Sequence, residues 1–284
     1  MSQSASSPFQ LFAPPYRELL SVSEEEAFPQ SHRTLRGVAL IWRMSRGARP
    51  RHLARVAGRP GGLSLIAILP PADQLVQLHD RVLEVLEEAR PVALLPFHPQ
   101  GEITELERLL RREPEHPVGE FLDFLRWRGL TLDRETRRIV ARTLALSGEV
   151  RTLSQLARSV YLSRRALGRR FQQRGLPVPS HWLHFFRLLR VLHRLQTRDE
   201  PMAEIARSLG YPDPFTLSNQ MERLVGVRPS LARERLGWEW FAESWLQMER
   251  EQGALLQPLR GLSSNLAAPT KPKTVRYVAE RSVI

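Results

Sequence analysis

Between Thr152 and Gly175 the chain reads TLSQLARSVYLSRRALGRRFQQRG. The side chains there that can do chemistry are Arg164, Arg165, Arg169, Gln172 and Gln173, with Gly168 among them. At helical spacing they share one face, opposite a stripe of Ala166, Leu167, the Arg170 stem and Phe171. Guanidinium groups pair with guanine O6 and N7, and carboxamides with adenine N6 and N7. A short helix with such a face suits the major groove of a DNA duplex. An ordinary helical hairpin with a solvated basic face has the same pattern, and this stretch alone does not separate the two.

A groove-reading helix has to be held by others. Thr152 and Gln155 have the spacing of a capping box. Leu153, Leu156, Ala157 and Val160 then predict a first short helix, Tyr161 and Leu162 a corner, and Ser163 an N-cap for the arginine-bearing helix. The arrangement recurs further on. Asp199 or Glu200 can cap a helix with Pro201 at its first position and Met202, Ile205, Ala206 and Leu209 on its apolar side, ended by Gly210. Asp213 can cap another, carrying Phe215, Leu217, Met221, Leu224 and Val225 and ended by Gly226. Residues 181–195, HWLHFFRLLRVLHRL, are apolar enough for a buried connecting helix.

With both units in view, residues from about Leu132 to Leu236 resemble the DNA-binding domain of AraC/XylS-type transcription regulators. The resemblance is carried by Leu156-Ala157, Leu162-Ser163, Leu167-x-Arg169-x-Phe171 and Arg187-Leu188. It continues through Ile205-Ala206-x-x-Leu209-Gly210-Tyr211-x-Asp213 and Gly226-Val227-x-Pro229. It implies a seven-helix domain whose two recognition helices enter successive major grooves. Arg165, Gly168 and Arg169 match base-reading positions, with Arg164 and Gln172 beside them to hold phosphates. Pro214, Phe215, Ser218 and Asn219 match the DNA-facing positions of the second helix, where Phe215 suits a thymine methyl and Asn219 an adenine. Leu217 and Met221 stand where the family usually has Phe, Asn219 where it commonly has Arg, and Glu222 where it has Lys. Gly175 follows Phe171 one residue early. The second unit is thus less basic than the first, and unequal roles follow.

The charge distribution agrees. Of a formal net charge of +12, residues 131–237 hold 20 Arg against 9 acidic residues. Residues 1–130 carry 16 of each sign and cancel. A basic excess confined to one segment is the footprint of a polyanion partner. The absence of cysteine excludes disulfides, thiolate metal sites and a cysteine nucleophile. The opening residues lack a signal-peptide pattern, and the longest strongly apolar run, Leu63 to Pro71, is too short to span a bilayer. A cytoplasmic, nucleoid-associated protein of bacterial type without membrane attachment is expected.

Before Leu132, strand-like and helix-like runs alternate. Val38–Met44, Leu63–Leu69 and Pro91–Phe97 read as strands; Pro50–Ala57, Asp73–Ala89, Glu102–Arg111 and Val118–Trp127 read as helices. This predicts a parallel sheet in a small three-layer sandwich, weakly similar to a shortened receiver or flavodoxin-type domain. Its strand ends, Ser45-Arg46-Gly47 and His98-Pro99-Gln100, offer no carboxylate, so no aspartyl phosphorylation is expected. The domain would serve dimerisation or sensing, with any small-molecule pocket at the strand C-termini. Gly58, Gly61 and Gly62 follow a helix and precede a strand, the reverse of a phosphate loop, and read as a plain turn. His181 and His184 have metal-compatible spacing but no third ligand nearby, and no catalytic constellation appears.

The organisation expected is therefore a flexible arm over 1–33, with a short helix near Arg17–Leu20. An α/β domain over 34–130, a double helix-turn-helix domain over 131–252 and a flexible tail over 253–284 follow. Trp238, Phe241, Trp245 and Met248 share a face that packs on the domain or meets a partner. The fold class is α/β plus all-α. The function is sequence-specific binding of double-stranded DNA in transcription regulation, with no enzyme activity, metal or cofactor. RNA polymerase and a second copy of the chain are the expected protein partners. A protein-interaction module with a vestigial helix-turn-helix, or an enzyme on the α/β half, are the alternatives.

Overall fold

A computed structural model describes residues 7–44, 50–71, 80–96 and 102–260. The strand ends at 45–47 and 98–100, the Asp73 cap with Leu75, Val76 and Leu78, and residues 261–284 lie outside the described residues.

Five strands form one sheet: β1 (Phe9–Phe12), β2 (Leu19–Ser21), β3 (Ala39–Arg43), β4 (Ser64–Ile68) and β5 (Ala93–Leu95), in the order β2-β1-β3-β4-β5. β3, β4 and β5 run parallel, joined through α1 (Pro50–Ala57) and α2 (Asp80–Ala89). β1 pairs antiparallel with both β2 and β3. The sheet is therefore mixed, not wholly parallel. Two of its strands lie in the stretch expected to be an arm, and β2 occupies the site of the expected short helix. Phe9 and Phe12 explain the difference. An odd spacing puts them on opposite faces of β1, and both are fully buried. Phe9 joins Leu40, Trp42, Leu65, Leu53 and Leu86 under α1 and α2. Phe12 joins Ile41, Ile66, Leu106 and Leu110 under α3 (Glu102–Arg111).

The second core gathers α4 (Pro117–Trp127), α5 (Arg134–Leu146), α6 (Leu153–Ser159), α7 (Arg164–Gln173), α8 (Pro179–Thr197), α9 (Met202–Ser208), α10 (Pro214–Val225), α11 (Pro229–Glu234) and α12 (Glu239–Glu251). α8 is its axis. Trp182 is fully buried, with its ring edge-on to Phe121 and Trp245, and Phe185 stacks on Trp245 at 4.2 Å. Two stretches join this core against expectation. α4 supplies Phe121, Phe124, Leu125 and Trp127 to it, although its sequence was assigned to the α/β part. Leu255 and Leu259 pack there too, and Leu256 N–H donates to the Gly175 carbonyl at 2.8 Å, in a region expected to be a free tail. α12 is enclosed from Glu239 to Gln247, so Trp238, Phe241 and Trp245 face the chain's own interior.

Buried polar contacts tie the sheet to the helices. Tyr16 donates to Gly37 O at 2.6 Å and accepts from Leu236 N at 2.7 Å. Its burial pushes the phenol up to about 12. Arg59 lies over the Trp127 ring at 4.4 Å and donates to Leu63 O at 2.9 Å and Arg90 O at 3.1 Å. Burial lowers its guanidinium to about 9. The Arg128 Nε and Nη2 donate to Glu243 at 2.7 and 2.9 Å. A Cβ on Gly61 would collide with that pair, which gives the 58–62 turn a packing role besides a turning one.

Candidate nucleic-acid interface

The first helix-turn-helix is assembled by local chemistry. Thr152 Oγ1 accepts from Gln155 N at 3.2 Å, and Gln155 Oε1 accepts from Thr152 N at 3.0 Å, closing the capping box. At the corner Tyr161 takes φ +56°, and Leu162 N donates to Ala157 O at 3.0 Å. Ser163 Oγ then accepts from Ala166 N at 3.1 Å and starts α7. The second unit repeats the corner with Gly210 at φ +74° and Tyr211 N donating to Ala206 O at 2.9 Å. Asp213 caps α10 through Thr216 N at 2.7 Å, and Gly226, left-handed at φ +69°, ends it. One detail differs from the sequence expectation: Pro201 is itself the N-cap of α9, so neither Asp199 nor Glu200 fills that place.

α7 turns Leu167 and Phe171 into the core. Arg164, Arg165, Arg169 and Gln172 are exposed, and the space over Gly168 is open. No hydrogen bond or ion pair engages Arg164, Arg165 or Arg169 among the described residues. Ala166, expected in the buried stripe, is exposed instead, so the solvent-facing strip is wider than foreseen. On α10, Pro214, Phe215 and Asn219 are exposed and Ser218 is half-exposed, while Leu217 and Met221 are fully buried. Phe215 is 74% exposed, unusual for an aromatic ring in a protein that buries most of them. Glu222 pairs with Arg228 at 3.3 Å, while Arg223, one turn beyond Asn219, is exposed.

A further basic row was missed from the sequence. Arg134, Arg138 and Arg142 are exposed on α5 at i, i+4, i+8, with no described partner. Their spacing was legible, but only the packing shows where they stand. Asp133, the N-cap of α5, is clamped by Arg174 and lies 3.7 Å from Arg170, both from the end of α7. Partial desolvation opposes its ionisation, yet hydrogen bonds from Thr136 and the Arg174 guanidinium hold the carboxyl well below the usual carboxylate range. The arginine row therefore begins beside the end of α7.

The histidine pair has structural uses. His181 Nδ1 is 2.9 Å from both Glu249 oxygens, and His184 Nδ1 is 3.2 Å from Gln220 Nε2 on α10. Burial, followed by the nearby Arg187 and Arg223, lowers His184 to about 4. Burial also lowers His193. Both are therefore neutral in the fold at pH values where the unfolded chain already binds protons. The stability His184 contributes is present above about pH 6.5 and is lost as pH falls toward 4, by up to about 1.4 kcal/mol per pH unit, and His193 adds a loss of the same sign. Denaturant midpoints measured at pH 7 and pH 5 should drop accordingly, and His184→Gln should remove its share of the slope. A pH-independent midpoint contradicts the assignment.

Residues 156–235 match a family model described as a helix-turn-helix domain. No curated protein and no solved structure matches the chain. No described helix is long and apolar enough to cross a membrane. The family match spans both corners, α7 and α10. It supports DNA binding in transcription regulation by this part of the chain.

Proposed function

We propose that the protein is a sequence-specific regulator that reads double-stranded DNA with α7 and α10 in successive major grooves. One observation carries the reading: Arg164, Arg165 and Arg169 form an exposed ridge with no partner among the described residues, on a helix whose other side is locked by Leu167 and Phe171. Arginines left free on a rigid, capped helix are arranged for an external anion. Arg165 and Arg169 address base edges, and Gly168 lets the backbone approach the groove floor. Arg164 and Gln172 flank them on phosphates, and Arg134, Arg138 and Arg142 extend the phosphate track.

α10 has the smaller share of the affinity. Phe215 there offers an apolar contact to a thymine methyl, Asn219 a pairing to adenine, and Pro214 and Ser218 complete the surface. Two readers in one chain, spaced about one helical turn of roughly 34 Å, serve an asymmetric site without a palindrome. The mixed sheet and its helices form a sensing or dimerising part, a second copy of the chain and RNA polymerase being the protein partners.

Selection from random duplexes followed by binding at several salt concentrations tests the proposal. With several phosphates neutralised, the log–log slope should be about −4 or steeper. Absence of any enriched sequence, together with a flat salt response, would falsify it and favour a protein partner.

A further inference from the structure

The two helix-turn-helix corners share one backbone shape and differ in the residue that takes it. In the second, Gly210 has φ +74° and the next N–H, that of Tyr211, donates to Ala206 O at 2.9 Å. In the first, Tyr161 has φ +56° and the next N–H, that of Leu162, donates to Ala157 O at 3.0 Å. A left-handed φ is open to glycine and unfavourable for a residue with a Cβ, most of all a bulky one. The second corner needs glycine for a further reason, because a Cβ on Gly210 would run into the Arg151 guanidinium. The first corner carries a large aromatic side chain where its counterpart shows that glycine serves the turn.

No contact of the Tyr161 side chain offsets that cost. It is 96% exposed, more than any other large apolar or aromatic side chain among the described residues. Its ring belongs to no core cluster, and its hydroxyl has no hydrogen-bond partner among the described residues. Tyr16 and Tyr211, by contrast, are buried, and each hydroxyl is bonded. A residue held in a sparsely populated conformation, with nothing inside the molecule to hold it there, points to a use outside the fold.

Its place in the chain says what it meets. Tyr161 stands two residues before Ser163, the N-cap of α7, and three before Arg164, the first residue of that helix. Its Cα therefore lies within about 11 Å of that of Arg164. A helix that reads the major groove enters it by its N-terminal turn. The residue just ahead of that turn then stands at the rim of the groove, where sugars and phosphates form the wall. Tyrosine is one of the side chains that donate to phosphate oxygens there.

We infer that Tyr161 is a DNA-backbone contact: its ring packs on a sugar at the rim of the groove that α7 enters, and its hydroxyl donates to a phosphate. The inference rests on the reading of α7 as a groove-reading helix. The contact is neutral, so it fixes how α7 sits in the groove without releasing a counterion. It reads no base, because sugar and phosphate carry no sequence information directly. The first corner gives up some stability in favour of binding, a recurrent trade-off at functional positions.

Tyr161→Gly and Tyr161→Phe in the full chain test it, on a duplex selected from random sequence and on an unrelated one. Tyr161→Gly should leave the melting temperature unchanged or raised, since the corner favours glycine and no packing is lost. Its affinity should fall about tenfold on both duplexes, the loss of a hydrogen bond to a charged group. Tyr161→Phe keeps the ring and should still lose at least about threefold. The log–log salt slope of both variants should stay that of the parent, whereas Arg164→Ala should make it shallower by about 1. Bound duplex should also shield Tyr161 from nitration by tetranitromethane, read by mass spectrometry of the peptide that carries it. Parent-like affinity in Tyr161→Gly, or equal nitration with and without duplex, overturns the inference. A fall in melting temperature gives the ring a place in the fold and overturns it too, as does a loss confined to the selected duplex, which marks a base reader. Parent-like binding by Tyr161→Phe overturns the hydroxyl–phosphate bond. A parent chain that binds no duplex overturns the reading of α7 and this inference with it; a parent that binds, with variants that match it, overturns this inference alone.

Discussion

Replacing Arg165 and Arg169 together with Ala should cut specific DNA affinity by about 2–6 kcal/mol, roughly 30-fold to ten-thousand-fold. Each bidentate guanidinium–base contact discriminates by about 1–3 kcal/mol, and separate base positions add approximately. The two residues lie i, i+4 on α7, both exposed and both without a described internal partner. Their removal therefore takes nothing from the fold. Leu167 and Phe171 still anchor the helix, Ser163 still caps it, and Ala favours it. The melting curve should stay where it is while the footprint fades. Sequence preference should relax at the bases each arginine faces. Arg169→Lys separates charge from geometry, because an ammonium retains the attraction and loses the two-pronged pairing. It should keep most non-specific binding and lose preference. An unchanged footprint in the double variant places the reader elsewhere.

Arg128→Met is expected to have the opposite profile, with a large loss of stability and no direct effect on the exposed face of α7. Arg128 and Glu243 are 2% and 3% exposed, and two parallel N–H···O bonds join them. Arg128 also donates to the Arg260 carbonyl, and Gln247 Nε2 donates to Glu243 Oε1 at 2.6 Å. Removing the guanidinium leaves a carboxylate buried beside Gly61 with most of its compensation gone. Breaking such a pair costs about 3–5 kcal/mol, a large part of the stability of an ordinary domain. The net value of the intact pair is much smaller, because both charges had to be desolvated. The double change Arg128→Met with Glu243→Leu should accordingly recover most of the loss. Denaturant titration measures both. A single variant within about 1 kcal/mol of the parent would show that the pair is solvated in solution. Failure of the double variant to recover would shift the weight to the Arg260 and Gln247 contacts.

Helix-turn-helix geometry was legible because its determinants are local. The Thr152–Gln155 box, the Ser163 and Asp213 caps and the Gly210 and Gly226 stops act within four residues of themselves. The apolar periodicity that buries Leu167, Phe171, Leu217 and Met221 repeats within one turn. Arg164, Arg165 and Arg169 could therefore be placed on an outer face from spacing alone. What failed had its cause far along the chain. β1 and β2 have few residues and weak local preference. They exist because Phe9 and Phe12 meet partners on β3 and beyond, so Ser-, Pro- and acid-rich surroundings concealed them.

The amino-acid order by itself determined the capped helices, their corners and the charge on α7, since each depends on neighbours a turn away. Tertiary packing alone decided that α4 and residues 255–259 belong to the helical core, that α12 is enclosed, and that Arg134, Arg138 and Arg142 begin beside α7. These depend on which surfaces meet after loops of tens to hundreds of residues have closed. Burial against distant elements, which no local pattern encodes, settles that outcome.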